Sequence, residues 1–369
     1  MAKLDTNTKA FLALGRAGLW ETEVRLSCFG DIDFNEVFRI AQEQAVVGLV
    51  AAGLEHVVEK KVPKEAALLF VGETLQLEQR NAAMNKFISE LFEKIQDAGI
   101  FALLIKGQGI AQCYKRPLWR ACGDIDLFMN GNNYQKAKSF MLPFASSFED
   151  EYEEILHLGM TIEKWIVELH GTMKTCSLSL LDKVIDNIQE ETFTKEQFRI
   201  WKNGDTKVYL PNLDNDVVFV FSHIVKHFFH GGIGLRQICD WCRLLWCARN
   251  EIDKELLGKR IREAEILTEW KAFAALAVER LGMPAEAMPL YSDSIKWSNK
   301  ADKVLSFILK TGNFGCNREP FSEGTLNRKI SAAWRLTHDF IQHTMIFPKD
   351  SLNVWLWELN KGLMGAFKK

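Results

Sequence analysis

Leu103-Leu-Ile-Lys-Gly-Gln-Gly109, followed by Arg120-Ala-Cys-Gly-Asp-Ile-Asp-Leu127, is the stretch that decides the fold. The apolar run Phe101-Ala-Leu-Leu-Ile105 marks a buried strand. Lys106 and Gly107 end it, and Gly107 to Tyr114 reads as a short helix. Asp124-Ile-Asp-Leu-Phe-Met129 alternates acidic and apolar residues before turning fully apolar, which predicts a second strand. Asp124 and Asp126 stand at i and i+2, so their side chains share a face, roughly 6.5–7 Å apart. Two carboxylates so placed repel each other unless a cation sits between them. Oxygen ligands with room for water and phosphate suit Mg2+ or Mn2+. Ile125 and Leu127 point to the opposite face and into a core.

Downstream, Asn130-Gly-Asn-Asn133 is turn chemistry and Tyr134 to Leu142 reads as a helix. Three more strands are expected, at Phe148 to Glu154, Leu156 to Glu163 and Trp165 to His170. The order of elements predicts a small mixed sheet with helices on one side. In the last strand Trp165, Val167 and Leu169 form the buried face, and Ile166, Glu168 and His170 the other. A charge inside an apolar strand costs free energy unless it is paired or ligates a metal. Glu168 is therefore the candidate third carboxylate, with Glu154 and Glu163 as rival acids. Upstream, Lys106-Gly107 sits at a strand-to-helix turn where a free N–H group and a glycine can approach an anion. A phosphate cradle, then Asp-x-Asp, then an acid from a later strand is equipment for metal-assisted nucleotidyl transfer. The plainer reading of the carboxylates is a structural ion cluster.

The pattern Leu104-Ile-Lys-Gly107, Tyr114, Pro117, Arg120 and Asp124-Ile-Asp126 resembles an uncharacterised bacterial nucleotidyltransferase family of the DNA polymerase β-like superfamily. The resemblance continues through Glu168-Leu-His170, then Ser222-His223, His227, Gly232-Ile-Gly-Leu-Arg236 and Asp240. It runs from about residue 30 to about residue 250. It implies that Asp124, Asp126 and Glu168 are catalytic and bind Mg2+ or Mn2+. It further implies that Lys106, Gly107, Gln108, Arg120 and His170 belong to the nucleotide site, as do His223, His227, Arg236 and Asp240. Gln108 stands where the wider superfamily has a serine, so a hydroxyl contact to phosphate is missing. The expected reaction moves a nucleoside monophosphate from an NTP, ATP foremost, to an unidentified acceptor with release of pyrophosphate. The acceptor is a small molecule, a protein or RNA. The alternatives are a catalytically degenerate nucleotide-binding or protein-interaction module, and a toxin-like enzyme acting on tRNA.

The flanks read as helix. Phe34 to Val50 and Lys64 to Gln96 carry apolar residues at helical spacing, with Pro63 at the entry to the second. Past Pro211 the helical period returns. Asp214 is a candidate cap for a helix that His230-Gly-Gly-Ile-Gly234 stops, and helices follow at 235–248, 254–267, 270–281 and 301–309. The fold class is α+β. It comprises an N-terminal helical region (1–98), a polymerase β-like core (99–211) and a C-terminal helical domain (212–369).

With 369 residues, two or three domains are expected at about 150 each. The formal charge of −2 excludes binding driven by bulk positive charge. No apolar run reaches the ~18 residues of a membrane span, and the first ten residues lack a signal-peptide core. Eight cysteines without framework spacing fit reduced thiols and a cytoplasmic protein. Cys239-x-x-Cys242 lacks a second pair at zinc spacing and reads as buried thiols. His223, His227 and His230 share one helix face, turned either to the nucleotide cleft or into packing. Arg120 and Asp124, or Arg236 and Asp240, are candidate structural ion pairs. Glu149 to Glu154 reads as a solvated edge. The tail from Trp355 to Lys369 is amphipathic and suits packing on the helices or a membrane surface.

Overall fold

A computed structural model of the chain describes residues 4–59, 62–318 and 325–367. Three helices come first: α1 (Thr6–Trp20), α2 (Phe34–Glu43) and α3 (Val47–Glu55). The carboxylates of Asp5 and Asp33 cap α1 and α2. The single helix expected over 34–50 is broken, because Ala45 takes a φ of +55°. The break frees Gln44, which is fully buried. Its side-chain oxygen accepts from the Leu235 N–H at 3.0 Å, and its carbonyl accepts from the Arg236 N–H at 3.3 Å. A continuous helix would have committed that carbonyl to residue 48.

The long helix α4 (Lys64–Asp97) spans 34 residues. Its second half buries Met84, Phe87, Ile88, Leu91, Phe92 and Ile95, while Leu75 is exposed. Then come β1 (Leu103–Ile105), α5 (Gly107–Ala111), β2 (Asp124–Phe128), α6 (Gly131–Met141), β3 (Ala145–Phe148), β4 (His157–Ile162) and β5 (Trp165–His170). The sheet order is β1-β2-β5-β4-β3, with β2 and β5 parallel and the other pairs antiparallel. Asn130, expected in a turn, is the N-cap of α6 and accepts from the Asn133 N–H. The edge strand β3 starts at Ala145 and ends where the strand was expected to begin. The acidic run follows it, and Glu151 is held by the Tyr134 hydroxyl and Lys138.

Ile125, Leu127, Val167 and Leu169 pack with α4 and α6 in one apolar core. The opposite face carries the acids and ends at Phe128. Helices cover part of that face too: Phe128 meets Phe193 and Phe219 at ring distances of 5.1 and 5.4 Å. Those rings belong to α7 (Ser179–Thr194) and α8 (Leu213–His230). Between these helices lies the hairpin β6 (Phe198–Asn203) and β7 (Thr206–Pro211). Neither α7 nor the hairpin was anticipated. Asn212, not Asp214, caps α8; Asp214 instead accepts from the Asp253 N–H.

The remaining helices are α9 (Leu235–Ala248), α10 (Lys254–Glu263), α11 (Leu267–Ala275), α12 (Ile295–Thr311), α13 (Thr325–Thr344) and α14 (Pro348–Phe367). Thus α10 stops short of 267, and α11 starts there and runs on through a π-turn at Leu276–Arg280. α12 begins six residues before Ala301. These helices share a second core with α1 to α3. Trp20 Nε1 donates to the Leu281 carbonyl at 2.6 Å, and Arg243 bonds the carbonyls of Leu19 and Cys113. In the tail, Trp355 stacks on Phe340 and Trp357 lies against His230. Lys368 and Lys369 fall outside the described residues. Cys239 and Cys242 are buried free thiols. Among the described residues no helix is long and apolar enough to cross a membrane.

One buried carboxyl in the helical core makes stability pH-dependent. Glu269 on α11 is 2% exposed and faces Asp350 of α14. Burial first, then the bond and charge of Asp350, push its pKa up to about 9. The folded chain therefore holds a proton that the unfolded chain loses near the ordinary value of 4.5. Stability contributed by this proton is full below that value and is lost as pH rises toward 9. Thermal unfolding of Glu269→Gln should show a smaller loss of Tm between pH 6 and pH 9 than wild type, by a few degrees. Equal losses in the two proteins would remove Glu269 as the source.

Candidate active site

The parallel pairing of β2 and β5 sets Asp126 directly beside Glu168, and Asp124 beside Ile166. Strand alternation sends Asp124, Asp126 and Glu168 to one face. That face floors a cleft of about 270 Å3. Lys106, Gly107 and Arg120 line it from the sheet side, and His223, His227 and Arg236 from α8 and α9. Its far rim is Phe314, held at φ +50° in a tight loop after α12. The rival acids do not reach it: Glu163 is exposed in the β4–β5 turn, and Glu154 is exposed beyond β3.

Lys106 is the hinge of the phosphate-cradle candidate. Its backbone takes φ +55° and ψ −144°, a region that costs a non-glycine residue about 1–3 kcal/mol. Gly107 follows at φ +40°, where a Cβ would lie 3.3 Å from the Cys122 sulfur. The turn aims the Lys106 ammonium at Asp126, with Nζ 2.9 Å from Oδ1. α5 has only five residues, so its dipole is small and the ammonium is the main positive charge here.

Three carboxylates on one face set the protonation of their neighbours. The charge of Asp126, then burial, raises the pKa of Asp124, and Lys106 only partly opposes them. Burial alone would raise Asp126, but Lys106 and His170 outweigh it and hold Asp126 below its ordinary value. Burial would likewise lower Lys106, yet Asp126, Asp124 and Glu168 keep it raised. Glu168 is opposed by burial, but bonds from His157 and His170 drive it well below the carboxylate range. His170 Nε2 lies 2.8 Å from Asp126 Oδ1 and 3.4 Å from Glu168 Oε2. Across the cleft, burial pulls His223 far down and His227 down to about 3, so both rings are neutral.

Other candidates hold the walls. Arg120 does not pair with Asp124; its Nε and Nη2 grip both oxygens of Asp240 at 3.0 and 2.6 Å. The Tyr114 hydroxyl donates to the same carboxylate at 2.8 Å. Asp240 is therefore not the partner of Arg236. Arg236 donates through Nη1 to the Ala121 carbonyl, and its buried Nε has no partner among the described residues. Gln108 points away from the cleft: its Nε2 donates to Asn81 of α4 at 2.9 Å. His230 turns from the cleft to Ser177 and Glu358.

Two residues of the site escape the sequence reading. His157 opposes His170 across the β4–β5 ladder, and its Nε2 lies 3.2 Å from Glu168 Oε2. Its hairpin register was the available signal. Phe314 packs edge-on to His227 at 5.0 Å. It lies far along the chain in a loop without periodicity.

Arg120 and Asp240 are each 5% exposed at the side chain. Removing one partner of a buried pair strands the other, at a cost of about 3–5 kcal/mol. Asp240→Ala should lose stability of that order in urea unfolding, and Arg120→Met/Asp240→Leu should regain at least half of it. A double variant no better than the single one would show that the pair acts through more than its own charges.

No curated protein and no solved structure matches the chain. One family model does, over residues 30–282, and its description is an uncharacterised nucleotidyltransferase. The match spans the α2–α4 helices, the five-stranded sheet with its acids, and the α8 and α9 walls. The chain belongs to this family of uncharacterised nucleotidyltransferases.

Proposed function

We propose that the chain is a metal-dependent nucleotidyltransferase that moves a nucleoside monophosphate from an NTP, ATP foremost, to an acceptor. One observation carries this reading: Asp124, Asp126 and Glu168 converge on one cleft floor from two parallel strands, beside Lys106 and Arg236. In this reading residues 99–211 form the catalytic unit, and the helices after 212 close the nucleotide site.

The donor set fits a hard divalent cation. It is oxygen-rich, and Asp124 carries repulsion from Asp126 that Lys106 does not cancel. Asp124, Asp126 and Glu168 would hold Mg2+ or Mn2+. Such an ion supplies charge neutralisation at the phosphates and lowers the pKa of an attacking hydroxyl. The chain's own groups do the rest. Lys106 Nζ and the unpartnered edge of Arg236 would hold the triphosphate. The neutral rings of His223 and His227, with Phe314, form an aromatic wall suited to a base. The acceptor oxygen would attack the α-phosphorus in line. The new P–O bond forms as the bond to the β-phosphate bridging oxygen breaks, and its electron pair leaves on pyrophosphate. His157 and His170 hold Glu168 too far below the carboxylate range for it to act as a base, so the acceptor proton would pass to water.

A second reading is nucleotide binding without turnover. The observation that favours it is that Asp126 Oδ1 already has Lys106 and His170 as cationic partners. Calorimetric titration of each NTP, with and without Mg2+, tests the first reading. Wild type should bind an NTP only with the metal, and Asp124→Ala/Asp126→Ala should weaken binding roughly 100-fold, beyond the usual cost of an outer-sphere partner. Failure of every NTP to bind would overturn the nucleotide site. Metal-dependent binding with no pyrophosphate released across small-alcohol, amino-sugar, protein and RNA acceptors would favour the second reading.

A further inference from the structure

Glu168 is flanked by imidazoles. Its Oε2 faces two imidazoles, His157 Nε2 at 3.2 Å and His170 Nε2 at 3.4 Å. All three candidate ligand atoms lie within 4.8 Å of one another. Among the described residues they form the one cluster of this kind. Two strands build it: His157 opposes His170 across the antiparallel β4–β5 ladder, and Glu168 precedes His170 by two on the same face.

We propose that His157, Glu168 and His170 form a binding site for a divalent transition metal, with preference for Zn2+ over Mg2+. The argument is geometric and chemical. A tetrahedral ion with ligands at ~2.0–2.2 Å places those ligands about 3.3–3.6 Å apart. Two edges of the trio already stand at 3.2 and 3.4 Å. The remaining His–His edge is at most 4.8 Å, and closing it turns His170 Nε2 from Asp126 Oδ1, 2.8 Å away, to the ion. Two imidazoles and one carboxylate are borderline donors that favour Zn2+ among the abundant divalent cations, while Mg2+ takes oxygen and holds its water. Three protein ligands leave a fourth position for water or an incoming oxygen. The floor also carries three carboxylates around the Lys106 ammonium.

The site differs from a pure Asp-x-Asp centre in its nitrogen donors, and its occupancy needs no nucleotide. Glu168 is shared with the Mg2+ site of the proposed function, and Zn2+ binding is therefore read without nucleotide, apart from nucleotidyl transfer. It is tested on the full chain after treatment with a chelator. Zn2+ is titrated in competition with a chromogenic chelator, and Co2+ is titrated by its visible absorption. Wild type should take one Zn2+ that His157→Ala and His157→Gln lose, with affinity weakened at least ~10-fold. Co2+ should give the intense visible bands of a low-coordinate site, absent in both variants. Asp124→Ala should keep its Zn2+ affinity within about threefold, because Asp124 supplies no ligand to the trio. His157 is only partly buried, and thermal unfolding confirms that its variants are folded. Equal Zn2+ binding by wild type and the His157 variants would overturn the site, since the ion would then sit elsewhere, for example on thiols. So would no Zn2+ uptake by wild type, or tighter binding of Mg2+. Loss of Zn2+ in Asp124→Ala equal to that in His157→Ala would overturn a separate nitrogen-bearing site.

Discussion

Three carboxylates stand on one small patch of sheet, and their mutual repulsion governs what surrounds them. Asp126 and Glu168 are register partners on parallel strands, and Asp124 is two residues along. The sheet cannot relieve this crowding, because the same alternation buries Ile125, Leu127, Val167 and Leu169 beneath it. A register slip that separated the acids would put those apolar side chains in the cleft. The compensation is therefore brought from outside the strands. Lys106 arrives on a strained turn, and His170 and His157 lean in from the far end of the sheet. A strained backbone that places a cation beside a buried carboxylate is a constraint that simple stability does not require.

The helical shell fixes the opposite wall by a chain of buried polar contacts. The kink at Ala45 offers Gln44 to the start of α9. From α9, Asp240 locks Arg120 and Tyr114, which flank the loop leading into β2. Arg236, one turn earlier, leans on the Ala121 carbonyl of that same loop. The segment carrying Asp124 is thus gripped by α9, and α9 is positioned by the N-terminal helices. This explains why the helices before residue 98 share a core with those after 212 although the sheet separates them in sequence.

The amphipathic half of α4 and the alternation of β2 and β5 were legible in the sequence: Met84 to Ile95 of α4 and Ile125, Leu127, Val167 and Leu169 are buried as expected, while Leu75 is exposed. The three acids and Lys106 were legible because charged residues interrupting apolar strands need a reason. What failed was local chemistry overridden by tertiary demand. Residues 34–50 have an unbroken helical period, but Gln44 has a partner 191 residues away. Asp214 is a good cap by type, yet the helix starts at Leu213, so Asn212 precedes it and Asp214 lies inside the first turn. Gln108 follows a phosphate-type turn, but a five-residue helix rotates it onto Asn81. Two misses did have a signal. Leu181, Val184, Ile185 and Ile188 keep a helical period in α7, and Asn203-Gly204 marks the β6–β7 turn. His157 was readable only through the β4–β5 hairpin register, and Phe314 reaches the site by loop closure, which a single sequence does not encode locally.

The charge layout of the cleft also bears on how a nucleotide would enter. Arg120 and Asp240 cancel each other inside the wall. What remains facing the cavity is Asp124, Asp126 and Glu168 against Lys106 and Arg236. Lys106 is already engaged with Asp126, and the imidazoles of His223 and His227 are held neutral by burial. A triphosphate approaching alone would meet an anionic floor, with the Arg236 guanidinium on the wall to set against it. The low dielectric of a buried site magnifies that repulsion. A cation entering with the phosphates reverses the balance, since it satisfies Asp124 and the polyanion together. In the proposed reading, binding that depends on the metal would thus be a consequence of the floor's charge. It would follow even if the later chemical step were lost.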